Sequence, residues 1–297
     1  MSLKTKQTLA KITMVLCALS WGVSFVVVKD TLTLIPTNWT LVIRYGIAGL
    51  IMALISGKNL FKLNKAEIIY GCLVGGTAYF GMYFQTAGLN YTTPGKSAFI
   101  TAAYCVMVPF ITWIWTKKRP SWQHFAAAFV CIIGIGLIAL NKGFTVQIGD
   151  ALTLGCTIVF AVNFVMIDQW FAKLDIFRVT MVQMFITAVL ALIAAPLMGE
   201  TAPVITKEAI GGLLYISLIA TAAGMLGQNI AQRFVDPSTT ALLCSLESVF
   251  AVLASVIMGT ELLSARLVFG FILVFGAVVF AQIELKNLPF FKKKKEE

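Results

Sequence analysis

Two ionisable side chains stand inside long apolar runs, where a charge is costly and marks function: Glu247 and Arg44. Glu247 lies ~9 residues into its run, or ~14 Å along a helix that rises 1.5 Å per residue. That depth is near the middle of a bilayer, where carriers bind their substrates. A carboxyl group there has three uses. It can exchange a proton on each cycle, bind a substrate ammonium, or serve as a structural partner for a neighbouring polar group. Arg44 lies about six residues into its run and keeps its proton, so it needs a carboxylate, a carbonyl or water beside it. The expectation for Arg44 is a structural or gating ion pair; holding a substrate carboxylate is the alternative.

Further polar groups fall where water is scarce. Trp21 and Ser24 are three residues apart, and Tyr79 and Tyr83 four apart, so each pair shares a helix face. With Thr101, Tyr104, Asn163, Gln228 and Glu247 they form the expected substrate-binding set. Two aromatic faces and several amides suit a zwitterionic or moderately apolar solute. Gln85 and Gln228 lie near the ends of their runs, where interfacial hydrogen bonding competes with this reading. Lys96, at an outer mouth, reads as a snorkelling lysine, with anion attraction as the alternative. His124 is the only histidine and receives no role. Cys17, Cys72, Cys105, Cys131, Cys156 and Cys244 form no CxxC pair and read as small packing residues. No metal site and no cofactor are expected.

The elements that position these groups must be membrane helices. Of 297 residues 59% are hydrophobic and 12% charged, too much apolar surface for a soluble chain of this size. Runs of about 17–22 residues, against ~20 needed to cross a bilayer, place ten spans. They fall near 9–28, 39–56, 67–87, 97–116, 123–140, 150–168, 179–198, 209–230, 239–258 and 267–283. The first is expected as a retained span, not a cleaved signal. The net charge of +10 is distributed by loop parity, which argues against nucleic acid as a partner. Seventeen of the 23 basic residues fall on one side and five on the other, Arg44 being within a span. The positive-inside rule then puts both termini in the cytoplasm. Residues 284–297 form a basic tail in which Lys292 to Lys295 meet anionic lipid headgroups.

The chain also repeats itself. Residues 85–122 and 228–265 align without a gap at an offset of 143, bringing Gln85 onto Gln228, Pro94 onto Pro237, Ala98 onto Ala241 and Tyr104 onto Glu247. An offset of 139 brings Trp21 onto Phe160, Ser24 onto Asn163 and Arg44 onto Gln183. The copies occupy 9–140 and 150–283, with five spans each. Five is odd, so the second enters the membrane inverted, the architecture of carriers that open one site to two sides. The expected fold is therefore all-α and integral to the membrane: ten transmembrane helices as two inverted five-helix repeats, N-in and C-in. Asn141–Gly149 is expected as a flexible outer connection between the copies. The glycines of the third and eighth spans are expected to serve close packing, bending being the alternative. The fifth and tenth spans, the least polar of their halves, are expected at the periphery, lipid-facing or forming a homodimer.

These residues resemble a known family. Ser20-Trp21-Gly22-Val23-Ser24-Phe25, Arg44, the run from Phe84 to Thr93, Ser97-Ala98-Phe99, Ser238-Thr239-Thr240-Ala241 and Gly259-Thr260-Glu261 resemble the EamA branch of the drug/metabolite transporter superfamily, over roughly 10–283. The family's Glu-Pro of the ninth span is Glu247-Ser248 here, which leaves a helix break there in question. The resemblance implies a ten-span carrier, often an exporter of amino acids or related metabolites. The reading is a secondary active transporter that works by alternating access in a plasma membrane, with Glu247 for proton coupling, a small molecule as substrate and lipid as the surrounding partner. The competing classes are an intramembrane enzyme acting on lipid-linked substrates and a non-transporting membrane subunit. The first lacks a His-Glu-x-x-His motif or an embedded aspartate pair, and no phosphate-binding Gly-Lys-Ser/Thr loop is present for ATP hydrolysis. A bacterial inner membrane is the expected location.

Overall fold

The computed structural model describes residues 2–139, 146–171, 173–260 and 262–282. The basic tail, Glu261 and most of the connection between the copies lie outside the described residues. The regular elements described are helical: α1 (Leu3–Thr31), α2 (Thr37–Ser56), α3 (Lys65–Leu89), α4 (Pro94–Ala102), α5 (Tyr104–Thr116), α6 (Trp122–Ala139), α7 (Ile148–Phe171), α8 (Ile176–Leu197), α9 (Lys207–Leu214), α10 (Gly224–Ala231), α11 (Pro237–Ile257) and α12 (Ala265–Gln282). A short 3₁₀ helix, Gly57–Lys62, follows α2, and a π-helical segment, Tyr215–Ala223, joins α9 to α10. Seven helices among the described residues are long and apolar enough to cross a membrane, counting α4–α5 and α9–α10 as one each, and two shorter apolar helices accompany them. Large apolar side chains face outward, among them Leu54, Phe129, Ile132 and Leu197. This arrangement suits a lipid solvent.

Local chemistry sets the helix ends. Asn64 and Glu67 form a reciprocal capping box at the start of α3, satisfying two orphan donors. Thr93 and Asp236 cap α4 and α11, each followed by proline at the first turn, where the missing N–H costs nothing. Asp175 caps α8 by accepting from the Phe177 and Arg178 amides. The first turn of α2 follows Pro36 and has no side-chain cap of its own. Glu200, beyond the end of α8, takes that role by accepting from the Asn38 amide at 2.9 and 3.1 Å and from Asn38 Nδ2 at 2.8 Å. An anion at a helix N-terminus meets both free N–H groups and the positive end of the dipole.

Packing runs between the two halves of the chain. α2 lies against α8, α1 against α11, α3 against α7 and α8, and α6 against α12. α4 and α5 lie against α7, while α1 and α2 also touch the π segment and α1 touches α10. Small residues permit the closest approaches. A Cβ on Gly75 would stand 2.6 Å from the Gln183 carbonyl oxygen, and one on Gly71 2.7 Å from Val182. α6 and α12 close on one another at Gly134 and Gly270, leaving Phe129, Ile132, Phe269 and Ile272 on their outer faces.

Two expectations change here, and one open question closes. Gly149 is not a flexible joint. It lies in the first turn of α7, where a Cβ would meet the Gly88 carbonyl oxygen at 2.7 Å. Lys96 does not snorkel. Its Nζ is 2.9 Å from Oδ2 of Asp150, which is fully buried and also accepts from Thr92 at 2.6 Å. α11 runs unbroken past Glu247, and the irregularities fall elsewhere. One is the turn at Ala103 between α4 and α5, ahead of Pro109; the other is the π segment.

Candidate functional site

The cavity builds up from seven stretches of helix. In α1, Trp21, Ser24 and Phe25 share one face, and Gly22 lets that helix meet α11. A Cβ on Gly22 would stand 2.5 Å from Phe250 Cβ and 2.7 Å from the Glu247 carbonyl oxygen. α7 presents Phe160, Asn163 and Phe164 with the same spacing. α3 contributes Ala78, Met82 and Gln85, and α10 contributes Met225 and Gln228. Tyr104, at the first position of α5, and Glu247, midway along α11, complete the wall together with Arg44 and Tyr45 of α2. The space is about 80 Å³, room for several waters or one small solute, since ~10–15 Å³ admits a single water.

Twelve of the fifteen lining residues pair off across the halves. At an offset of 139, Trp21 matches Phe160, Ser24 matches Asn163 and Phe25 matches Phe164. At 143, Met82 matches Met225, Gln85 matches Gln228 and Tyr104 matches Glu247. Arg44, Tyr45 and Ala78 line the cavity without a lining counterpart. The Arg44 equivalent, Gln183, is instead fully buried beside α10, where Asn229 Nδ2 donates to its Oε1 at 3.0 Å.

Hydrogen bonds hold the wall in place. The Trp21 indole donates to the Ala220 carbonyl at 2.6 Å, and the Tyr215 hydroxyl donates to the Ser20 carbonyl at 2.9 Å. Asn163 Nδ2 donates to the Val74 carbonyl at 3.0 Å and to Thr77 Oγ1 at 2.8 Å, tying α7 to α3. Gln228 Nε2 donates to Gln232 Oε1 at 3.1 Å, and Gln232 Nε2 to the Phe164 carbonyl at 3.2 Å. Tyr104 and Glu247 stand side by side within interacting range. Arg44 is buried. Its Nε donates to Thr221 Oγ1, and its guanidinium lies 5.6 Å from the centre of the Tyr45 ring. No carboxylate of the described residues lies within 4 Å of it, so the expected ion pair is replaced by a hydroxyl and an aromatic face.

Of the expected substrate-binding residues, Trp21, Ser24, Tyr104, Asn163, Gln228 and Glu247 line the cavity. Tyr79, Tyr83 and Thr101 do not. Gly71 and Gly75 seat α3 on α8, and Ala78, Met82 and Gln85, which continue the same face of the helix by their spacing, turn toward the cavity beyond that contact. One residue around the helix, Tyr79 then donates to Asn38 Oδ1 at 3.0 Å and Tyr83 stacks on Tyr79. Thr101 is buried between α4 and α7, 3.7 Å from Cys156 Sγ. Phe25, Met82, Phe164 and Met225 escaped notice as apolar residues, although the repeat offsets alone pair them.

Known proteins agree with the architecture. The model of the EamA-like transporter family matches twice in tandem, over residues 8–140 and 147–282. A relative from Archaeoglobus fulgidus named an uncharacterized transporter is 29% identical over 282 residues, covering 94% of this chain and 88% of that one. The Bacillus subtilis uncharacterized transporter YvbV is 24% identical over 278 residues, covering 90% and 89%. One crystal structure shares the fold at a TM-score of 0.72 and 16% identity, over 95% of this chain and 99% of that one. With a family match spanning nearly all of its length, this multi-pass membrane transporter belongs to the EamA-like transporter family.

Proposed function

We propose that the protein is a secondary carrier that exports small metabolites such as amino acids by alternating access, with Glu247 exchanging the coupling proton. The observation that carries this reading is the cavity itself. Its wall is drawn mostly in matched pairs from both halves, while its two charge-bearing groups have no like partner: Arg44 has no lining counterpart, and Glu247 has Tyr104 at the equivalent position. A paired wall suits a site opened in turn to either side. A carboxyl group whose repeat equivalent is a phenol marks a place where the halves have diverged within a symmetric scaffold.

The helix packing supports the inverted five-plus-five arrangement. Exchanging the halves maps α1 against α11 onto α7 against α4 and α5, and α3 against α8 onto the π segment against α2. The pairs α2 with α8 and α6 with α12 map onto themselves. The basic residues favour cytoplasmic termini in a plasma membrane, a bacterial inner membrane in our reading. A homodimer through the outer faces of α6 and α12 fits their exposed apolar side chains.

The test is transport by purified protein in liposomes, with a panel of radiolabelled amino acids and an imposed pH gradient. Gradient-driven flux of at least one amino acid is expected. Flux of none, with or without the gradient, would overturn the reading.

A further inference from the structure

We propose that Arg44 is the cavity's receptor for a substrate carboxylate and that Thr221, in the π segment, is the residue that positions it. This deepens the zwitterionic-substrate reading and rests on it for the site's location. A guanidinium buried in low dielectric without a counter-ion lacks several kcal/mol of compensation. No carboxylate of the described residues stands within 4 Å to supply it. Arg44 lines the cavity all the same, so an anion entering that space meets an unneutralised cation with a planar, two-pronged donor edge.

Thr221 prepares that edge. Its hydroxyl proton is committed to the Ile216 carbonyl at 2.7 Å, five residues back. The oxygen is thereby left as an acceptor, and Arg44 Nε donates to it. Five-residue spacing is that of a π helix, and in the regular α register residue 221 would face the turn of Ser217 instead. The π segment is anchored on the other side as well, by the Trp21 indole on the Ala220 carbonyl. Gly224 makes room for that ring, since a Cβ there would stand 2.7 Å from Trp21 Nε1. Among the described residues Arg44 is therefore held by a hydrogen bond from Nε, and its terminal nitrogens remain for the ligand.

The test is ligand-dependent thermal stabilisation of the purified protein with four small probes: propionate, alanine, alaninamide and ethylamine. Wild type is expected to respond to the two carboxylate-bearing probes in preference to the other two. Thr221→Val, which keeps the shape and loses the acceptor, should weaken propionate and alanine by about tenfold and leave alaninamide and ethylamine unchanged. Thr221→Ser should restore wild-type binding, and Arg44→Lys should not. Equal binding of probes with and without a carboxylate, or a Thr221→Val protein that binds like wild type, overturns the proposal. Propionate binding that depends on Thr221, with no response to alanine, upholds it and removes the zwitterionic reading instead.

Discussion

Tyr104 and Glu247 hold the same place in the two halves, 143 residues apart, and stand side by side on one cavity wall. A phenol and a carboxyl group at equivalent positions divide the labour of a paired site. On the proposed reading it is the carboxyl group, and not the phenol, that exchanges the coupling proton.

Replacing Glu247 with Gln keeps the size and removes the exchangeable proton. Transport driven by a pH gradient is expected to vanish, while solute exchange at equal pH continues. The measurement is flux in liposomes under the two conditions, and gradient-driven flux surviving in the variant would refute the coupling role.

Gly22 is the point where α1 rests on the backbone of α11 beside Glu247. A larger side chain must push the helices apart, because the nearest atoms include Glu247 O and Ala251 N. Gly22→Val is predicted to cost about 1–3 kcal/mol and to abolish transport. Thermal unfolding in detergent checks the first and liposome flux the second. The same substitution at Gly46, where a Cβ meets nothing within 4 Å, is the control and should be tolerated.

Lys96 and Asp150 join α4 to α7. Removing only the lysine leaves a fully buried carboxylate with Thr92 as its hydrogen-bond partner. Lys96→Met is predicted to destabilise by about 3 kcal/mol, and the Lys96→Met, Asp150→Leu double variant by less than Lys96→Met alone. A double-mutant cycle of unfolding free energies tests this ordering.

Glu200 caps α2 from 162 residues away in sequence. Glu200→Ala should cost about 1 kcal/mol, seen as a lower melting temperature. Glu200→Gln retains an acceptor oxygen and should lose only part of that. Equal melting temperatures for all three proteins would show that the cap contributes nothing.

The sequence by itself determined the all-helical apolar character, the tandem repeat and the place of Glu247 midway along its helix. These follow from local facts: apolar length, proline and capping residues at helix starts, and self-similarity at fixed offsets. The same offsets carried six of the nine expected binding residues to the cavity wall. What only the tertiary structure decided is the rotation of each helix and the hydrogen-bond register within it. The bilayer makes all faces of a span comparably apolar, so composition leaves the inward face of α3 open. Contacts at Gly71 and Gly75 choose Met82 and Gln85 over Tyr79 and Tyr83. Tyr215–Ala223 carries no proline to announce a π segment. That register exists where Trp21, Ser20 and Arg44, from two other helices, take up its Ala220 carbonyl, Tyr215 hydroxyl and Thr221 oxygen.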